Sequence, residues 1–482
     1  MTEESKAGET PGPMPTLDSL LFPSAQTSIS QTLASLRRSA LSISNRLQSI
    51  ETDAAFVREV AEHYELPLVA NERCGSWYIN PEHKAGSAYF KSTDGHTGQW
   101  DFSFRRLNMQ LLPLAREYGG CVIVDSTRRG KCTWITIWWL LSQTTRTRKS
   151  ANSIIVMPDA LSKTIPIWSA VLNRALFPTE TEYHPVCLPP NYLGESEESQ
   201  IESRIDNFVA SLKNLKLDLE HLRTQLGKPI RIAWANRSYF YPTDLHKSDA
   251  YCLFVLCSAS RRVQGAEISQ GGYIQGAGDD SEGWAHGLTP PIFWEHRALL
   301  KSTPEEELPG LIGELIAGHA QSMARDATLI APTKNLFIGA AVKGVEADLY
   351  DLVIDCNGDP AAMAGVENPK RLNLGCASAK LGSRDLRKSL DRVRDFVAGQ
   401  LAGNTSRSLL VTCETGKDLS AGALLAIICL FYNDEGEFDI SQGERSVGKQ
   451  YIRQRLAWIV SSKHDVNPSR STLQSVNAFL MS

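Results

Sequence analysis

Apolar residues recur along the chain with two periods, and the alternation of those periods divides it. From Ser30 to Tyr64, Leu33, Leu36, Leu41, Leu47, Ile50, Phe56, Val57 and Val60 follow a helical spacing and predict one or two helices. Trp77–Ile79, Ala88–Phe90 and Gln99–Phe104 read as short strands around a turn at Asp94-Gly95. Cys121–Val124 is a buried strand feeding a loop, and Thr133–Leu141 is an apolar segment after it. Ser153–Val156 and Ile167–Leu176 repeat the order of strand, polar loop and helix. From Ile201 to Leu226 the apolar positions alternate spacings of four and three, which predicts one long helix with a narrow seam packed on its own domain, ended by Gly227 and Pro229. Ile230–Trp234 and Cys252–Cys257 follow as strands. Gly265–Gly287 is glycine-rich and too polar for a core element, and Lys301–Gly310 reads as a linker or a helix edge.

The last third has its own pattern. Asn335–Gly339, Leu352–Asp355 and Ser408–Thr412 are strands, Ser383–Leu401 is an amphipathic helix, and Ala421–Phe431 is a buried one. Strands alternating with helices give an α/β class, an N-terminal α/β domain followed by a C-terminal one. The expected division is a flexible tail over 1–28, rich in Pro, Ser, Thr and Glu, a first domain over 29–328, and a second over 329–482.

Composition changes this picture little. Hydrophobic residues are 42% and charged residues 22% of 482, as in a globular protein. The net charge of -4 means that any nucleic-acid surface must be a local patch. No apolar run reaches the ~20 residues of a membrane helix, and no basic-then-apolar leader opens the chain. The ten cysteines form no C-x-x-C pair, so a zinc site is not expected and a reduced, cytoplasmic setting is.

The candidate chemistry lies where strands end. "VIVDSTRRGK" delivers Asp125, Ser126, Thr127, Arg128, Arg129, Gly130 and Lys131 at the carboxyl end of a strand, a set that suits a polyanion. Its glycine spacing is not that of a P-loop. "PDALSKTIP" places Ser162 and Lys163 at the next strand end. On the glycine loop, Asp279, Asp280 and Glu282 offer hard oxygens to Mg2+ or pair with Arg261 and Arg262. The strand–loop–helix Cys413, Glu414, Thr415, Gly416, Lys417, Asp418, Leu419, Ser420 is an anion cradle of backbone amides at a helix N-terminus.

This last segment, with "LFIG", "LVID" and the ending "RQRLAWIVSSKHDVNPSRSTLQSVNAFL", resembles the dual-specificity phosphatase fold over about 150 residues. The phosphatase signature needs an Arg where Leu419 stands, so phosphate binding is expected without phosphatase chemistry. Together, "YFKSTDGH", "CVIVDSTRRGK", "PDALSKTIPIW", "YIQGAGDDSEGW", "GLTPPIFW" and "CETGKDLSAG" resemble the tRNA 2'-O-ribosyl phosphate transferase family, which modifies a T-stem adenosine of initiator tRNA. The resemblance implies 5-phosphoribosyl 1-pyrophosphate as donor, Mg2+, and initiator tRNA as acceptor, with no membrane and no protein partner.

On that footing the Cys413–Ser420 and Ser126–Lys131 loops hold the two phosphate groups of the donor, in an order left open. Asp125 and Asp279 are the candidate proton acceptors, and Arg105, Arg106, Arg146, Arg148 and Lys149 the tRNA contacts. The rival reading is an inactive pseudophosphatase that binds phosphorylated protein or RNA.

Overall fold

Two parallel sheets organise the chain in this computed structural model. It describes residues 41–91, 100–127, 157–190, 192–237, 239–240, 245–263, 269–319, 327–340, 349–363, 370–377, 379–440 and 447–481. The expected tail over 1–28 and the segments Thr133–Leu141 and Ser153–Val156 lie outside these residues.

The N-terminal unit opens with helix α1 (Ile43–Tyr64), capped by the Ser42 side chain. Strands β1 (Leu68–Asn71) and β2 (Lys84–Ala88), helix α2 (Leu111–Tyr118) and strand β3 (Gly120–Asp125) follow. Next come α3 (Ile165–Leu176), α4 (Glu195–Glu202), α5 (Ile205–Lys213) and α6 (Leu219–Leu226). Strands β4 (Ile230–Asn236), β5 (Tyr239–Phe240) and β6 (Cys252–Ser258), a hairpin of β7 (Ser269–Gln270) and β8 (Tyr273–Ile274), and helices α7 (Pro290–Glu295), α8 (Arg297–Ser302) and α9 (Leu308–His319) complete it.

The sheet order is β2-β1-β3-β6-β4-β5, parallel except for β5 at the edge. Strand β1 leads to β2 on one side, and β3 leads towards β4 on the other. The β1/β3 boundary is therefore a switch point, where the loops leaving two neighbouring strand ends part and open a crevice.

The C-terminal unit runs β9 (Thr328–Leu329), β10 (Leu336–Ala340), β11 (Leu352–Asp355), β12 (Arg371–Asn373), α10 (Ala379–Leu401), β13 (Leu409–Cys413), α11 (Leu419–Phe431), α12 (Lys449–Ser462) and α13 (Arg470–Leu480). Its sheet order is β12-β11-β13-β10-β9, with only β9 antiparallel. Thr328 thus already belongs to this second sheet. Leu386, Leu390, Val393, Val397 and Leu401 bury one face of α10, whereas α11 is buried almost all round. One apolar cluster runs from a face of the first sheet into the second unit, and another fills the opposite face under α1.

Several expectations are corrected. The segment 201–226 is not one helix: Lys216 takes a left-handed φ of 54°, and the seam residues Ile201, Ile205, Leu212, Leu215, Leu222 and Leu226 are buried from three short helices that bend around the core. Trp77 lies in a 3-10 turn (Gly75–Tyr78), and residues 100–104 form no strand. The described part of the glycine-rich stretch is solvated only in part, with Asp280, Glu282 and Gly283 exposed. Tyr273, Ile274, Ala277, Trp284 and Leu288 are buried, because Gly271 and Gly272 make a tight hairpin turn that folds the stretch onto α1. Of the two readings of Lys301–Gly310, the helix edge holds and the linker does not: α8 ends at Ser302 and α9 begins at Leu308, which is fully buried.

Asn173 shows how α3 is tied to the sheet. Its amide donates to the Ile230 carbonyl at 2.9 Å, and its oxygen accepts the Ile230 N–H at 2.8 Å. Asn173→Leu leaves both buried backbone groups unpaired and is expected to cost about 3 kcal/mol in urea unfolding. An unchanged midpoint contradicts this tie.

Candidate active site

The crevice at the β1/β3 switch point is built on one carboxylate. Asp125, the last residue of β3, is fully buried. It accepts hydrogen bonds from Asn71 Nδ2 (2.9 Å), Arg73 Nη2 (3.1 Å), the Cys74 thiol (3.1 Å) and the Ser126 N–H (2.8 Å). Asn71 is fixed in turn by Phe90, accepting its N–H and donating to its carbonyl. Gly75 lets the turn after β1 press on β3: a Cβ there would sit 2.2 Å from the Val124 carbonyl oxygen. Burial pushes the Cys74 thiol far up, so it is a neutral donor and no nucleophile.

Arg73 is the residue that joins the crevice. Besides Asp125 it pairs with Asp279 at 2.7 Å and donates to the Ser126 carbonyl. One guanidinium therefore links the β1 turn, the β3 end and the glycine loop, with 27% of its side chain exposed.

The glycine loop is anchored from below. Ser49 and Asp53 lie one turn apart on α1. The Ser49 hydroxyl accepts the Ile274 N–H, and Asp53, fully buried, accepts from Ser260 Oγ (2.6 Å) and Tyr273 OH (2.9 Å). Ser260 accepts from Ser126 Oγ (2.7 Å) and the Gly276 N–H (3.1 Å). Tyr78 OH accepts the Gly278 N–H (2.9 Å). Asp53, Ser260 and Tyr78 thus set the loop that carries Asp279.

The C-terminal loop brings together a second polar cluster at a strand end. Gly416, at φ 68°, lies so close to β10 that a Cβ would meet Ala340 N at 2.6 Å. Burial pushes the Cys413 thiol up. The hydroxyl and amide of Ser420, the Asp418 amide and the Thr415 hydroxyl outweigh it, so the thiol falls below its ordinary range. Those donors converge as an anion requires. Lys417 is half exposed and pairs with Asp465 at 3.3 Å. Asp418 is engaged by Ser469 N and Thr472 Oγ1, and Glu414 N donates to Asn357. Leu419 is buried and packs towards Gly382 under α10, so its side chain turns away from the loop and only its backbone faces it.

Of the other candidates, Thr127 follows Ser126, and its carbonyl accepts from Gln275. Ser162 donates to Pro158 O, and Lys163 is committed to Glu197 at 2.7 Å. Asp280 is exposed beside Asp279, with a left-handed φ of 52°. Arg261 lies over the Tyr273 ring, and the cation that meets Asp279 is Arg73 from the other end of the domain. Arg105 is exposed, and Arg106 donates to Asn467 across the two units. Arg128, Arg129, Gly130, Lys131, Arg146, Arg148 and Lys149 lie outside the described residues.

No three metal-ligating side chains converge among the described residues, and Arg73 stands between Asp125 and Asp279. The arrangement fits an ion that brings its own phosphate and water ligands to Asp279 and Asp280, not a protein cage.

Asn71, Arg73, Asp53, Ser260 and Tyr78 escaped sequence reasoning. Two signals were present: a charged Asp53 on the apolar stripe of Ile50, Val57 and Val60, and the apolar run Leu66–Ala70 breaking into Asn-Glu-Arg-Cys-Gly.

These features define an α/β protein with a polar cluster at a strand end in each domain. The model of the Rit1 N-terminal domain matches residues 36–135 and 143–317, and that of the Rit1 DUSP-like domain matches 370–480. The chain belongs to the Rit1 family. It is 30% identical to the tRNA A64-2'-O-ribosylphosphate transferase of Saccharomyces cerevisiae, across 94% of this chain and 95% of that one. An uncharacterized protein of Schizosaccharomyces pombe is 35% identical over 455 residues, 91% of this chain and 94% of its own. Among solved structures, the PTP-2 phosphatase of Cydia pomonella aligns with 32% of this chain and 89% of its own, at 17% identity and a TM-score of 0.24. The Yvh1 phosphatase domain of Chaetomium thermophilum aligns likewise, at 16% identity and a TM-score of 0.24. No helix among the described residues is long and apolar enough to cross a membrane.

Two predictions follow from the crevice. Arg73→Lys keeps a charge but loses the fork, and is expected to slow turnover about 100-fold with the fold retained. Arg73→Ala also strands the buried Asp125 and should cost about 3–5 kcal/mol of stability. Wild-type turnover in Arg73→Lys contradicts the assignment.

Burial pushes Asp53 from 3.8 up to about 7, only partly offset by Ser260, Tyr273, Arg237 and Arg261. The folded state therefore holds this proton more tightly than the unfolded chain. The resulting stability is full below about pH 4 and lost as pH rises through about 7. The melting temperature of wild type should fall between pH 5 and 8 by several degrees more than that of Asp53→Asn, and parallel curves contradict this.

Proposed function

We propose that the chain is a pentosyltransferase that moves 5-phosphoribosyl from 5-phosphoribosyl 1-pyrophosphate to the 2'-hydroxyl of the T-stem adenosine, position 64, of initiator tRNA, and so keeps that tRNA out of elongation. The near-full-length likeness to a transferase of that name carries the reading. The two anion sites support it, because the donor brings a 5-phosphate and a pyrophosphate. The rival pseudophosphatase reading gives the Arg73 crevice no task.

In the reaction, the 2'-oxygen forms a bond to the anomeric carbon as the bond from that carbon to pyrophosphate breaks. Positive charge develops on the sugar and negative charge on the leaving group. Arg73 would face the pyrophosphate, and Asp279 and Asp280 would hold a Mg2+ ion brought with the donor, which would supply charge to offset the leaving group. Asp125 already accepts from four donors and is buried, so its role is to orient Arg73. Asp279, at the mouth of the crevice, is the better acceptor of the 2'-hydroxyl proton. The Cys413–Ser420 loop holds the 5-phosphate through amides and Lys417.

Incubating initiator tRNA with the protein, donor and Mg2+ is expected to add the mass of one ribosyl phosphate, localised to the T-stem by nuclease digestion. No gain on any tRNA overturns the reading.

A further inference from the structure

A line of cations runs from the phosphate loop across the junction of the two units, and beyond Lys417 the transfer chemistry does not use it. It starts at Lys417, whose carbonyl accepts the Asn467 N–H at 2.9 Å. The Asn467 side chain accepts from Arg106, and that guanidinium lies over the Tyr89 ring, 5.8 Å from its centre. Arg105 is next in the chain and exposed. Beyond it, Arg105, Arg453 of α12 and Arg204, just before α5, all surround a single carboxylate, Asp101. Arg204 lies over the Trp100 ring at 4.9 Å, and the Trp100 indole reaches Glu197, which Lys163 neutralises.

Charge along the seam is unbalanced. Arg105, Arg204 and Arg453 share Asp101 as a nearby carboxylate, Arg106 has Arg105 beside it, and Lys417 and Lys463 share Asp465. Burial, and after it the neighbouring Arg105, pull Arg106 below its ordinary range, as expected where like charges crowd. A chain with a net charge of -4 gathers these cations on one line, and a polyanion laid along it would supply the missing countercharge. Guanidinium groups placed over Tyr89 and Trp100 have N–H groups suited to phosphate oxygens. That geometry suits a phosphodiester backbone better than a flexible acidic peptide.

We propose that this seam is the track for the backbone of an RNA stem, laid across both units so that the reacting 2'-hydroxyl reaches the Arg73 crevice. The proposal rests on the RNA-modifying reading of that crevice. It explains why the phosphatase-like unit is needed beyond its phosphate loop: it supplies Arg453 and Asn467 to the RNA path.

Fluorescence anisotropy with a labelled T-stem hairpin RNA and the full chain tests it without any transfer step. The Arg105→Glu/Arg453→Glu double variant is expected to bind about tenfold or more weakly. Its plot of log affinity against log salt should flatten by about 1–2 units, at roughly 0.9 per lost phosphate contact in a duplex. Lys388→Glu, on exposed α10, should bind as wild type does. Circular dichroism checks the fold, and the milder Arg105→Gln and Arg453→Gln should shift affinity in the same direction. Unchanged affinity and salt slope in all the seam variants overturn the track, whatever the transferase activity. Polyglutamate binding as tightly as RNA, and equally weakened, overturns the assignment to RNA. Wild-type protein that binds RNA through the seam but transfers nothing leaves the track standing and removes the transferase reading instead.

Discussion

The N-terminal site depends on one guanidinium held between two carboxylates. Arg73 reaches Asp125 and Asp279 together, and they come from a strand end and a loop separated by more than 150 positions. Asp125 is wholly buried, so its charge is tolerable only with Asn71, Cys74, Ser126 and Arg73 around it. What Asp125 contributes is the aim of Arg73, and what Arg73 contributes is an exposed cation edge at the sheet's switch point. Asp53 does the corresponding work underneath. Its bonds to Ser260 and Tyr273 fix the glycine loop, and that loop fixes Asp279.

The second domain shows what remains when one catalytic group is removed from a phosphate site. Leu419 occupies the first turn of α11 and points into the core, where it adds apolar packing against α10. No guanidinium is left to grip a phosphoryl group in transit. The amides at Asp418 and Ser420 still converge on Cys413, and Gly416 still permits the close turn against β10.

Most of the fold was legible because its strands are apolar runs that end in polar loops. Cys121–Val124, Cys252–Cys257 and Ser408–Thr412 sit within a residue or two of β3, β6 and β13. The α/β class followed from that alternation, and the phosphatase-like third from its resemblance to a known fold. Two kinds of feature were not legible. The 201–226 seam keeps its spacing of four and three through two helix breaks, since a curved core can bury the same residues that a straight helix would. The glycine stretch is polar by composition, yet its Tyr273 and Trp284 pack inward because two glycines allow a hairpin. Asp125 and Asp279 were visible as candidates, but the cation between them was not. Arg73 lies in an unremarkable turn, and only the sheet order brings it to them.

On the proposed reaction, the two domains hold one donor molecule between them. Titration of 5-phosphoribosyl 1-pyrophosphate into the full chain with Mg2+, followed by calorimetry, tests it most directly. The account predicts a single site per chain, weakened by Arg73→Lys and by Lys417→Ala alike. Two separable sites, or a Lys417→Ala protein that binds donor as wild type does, would contradict it.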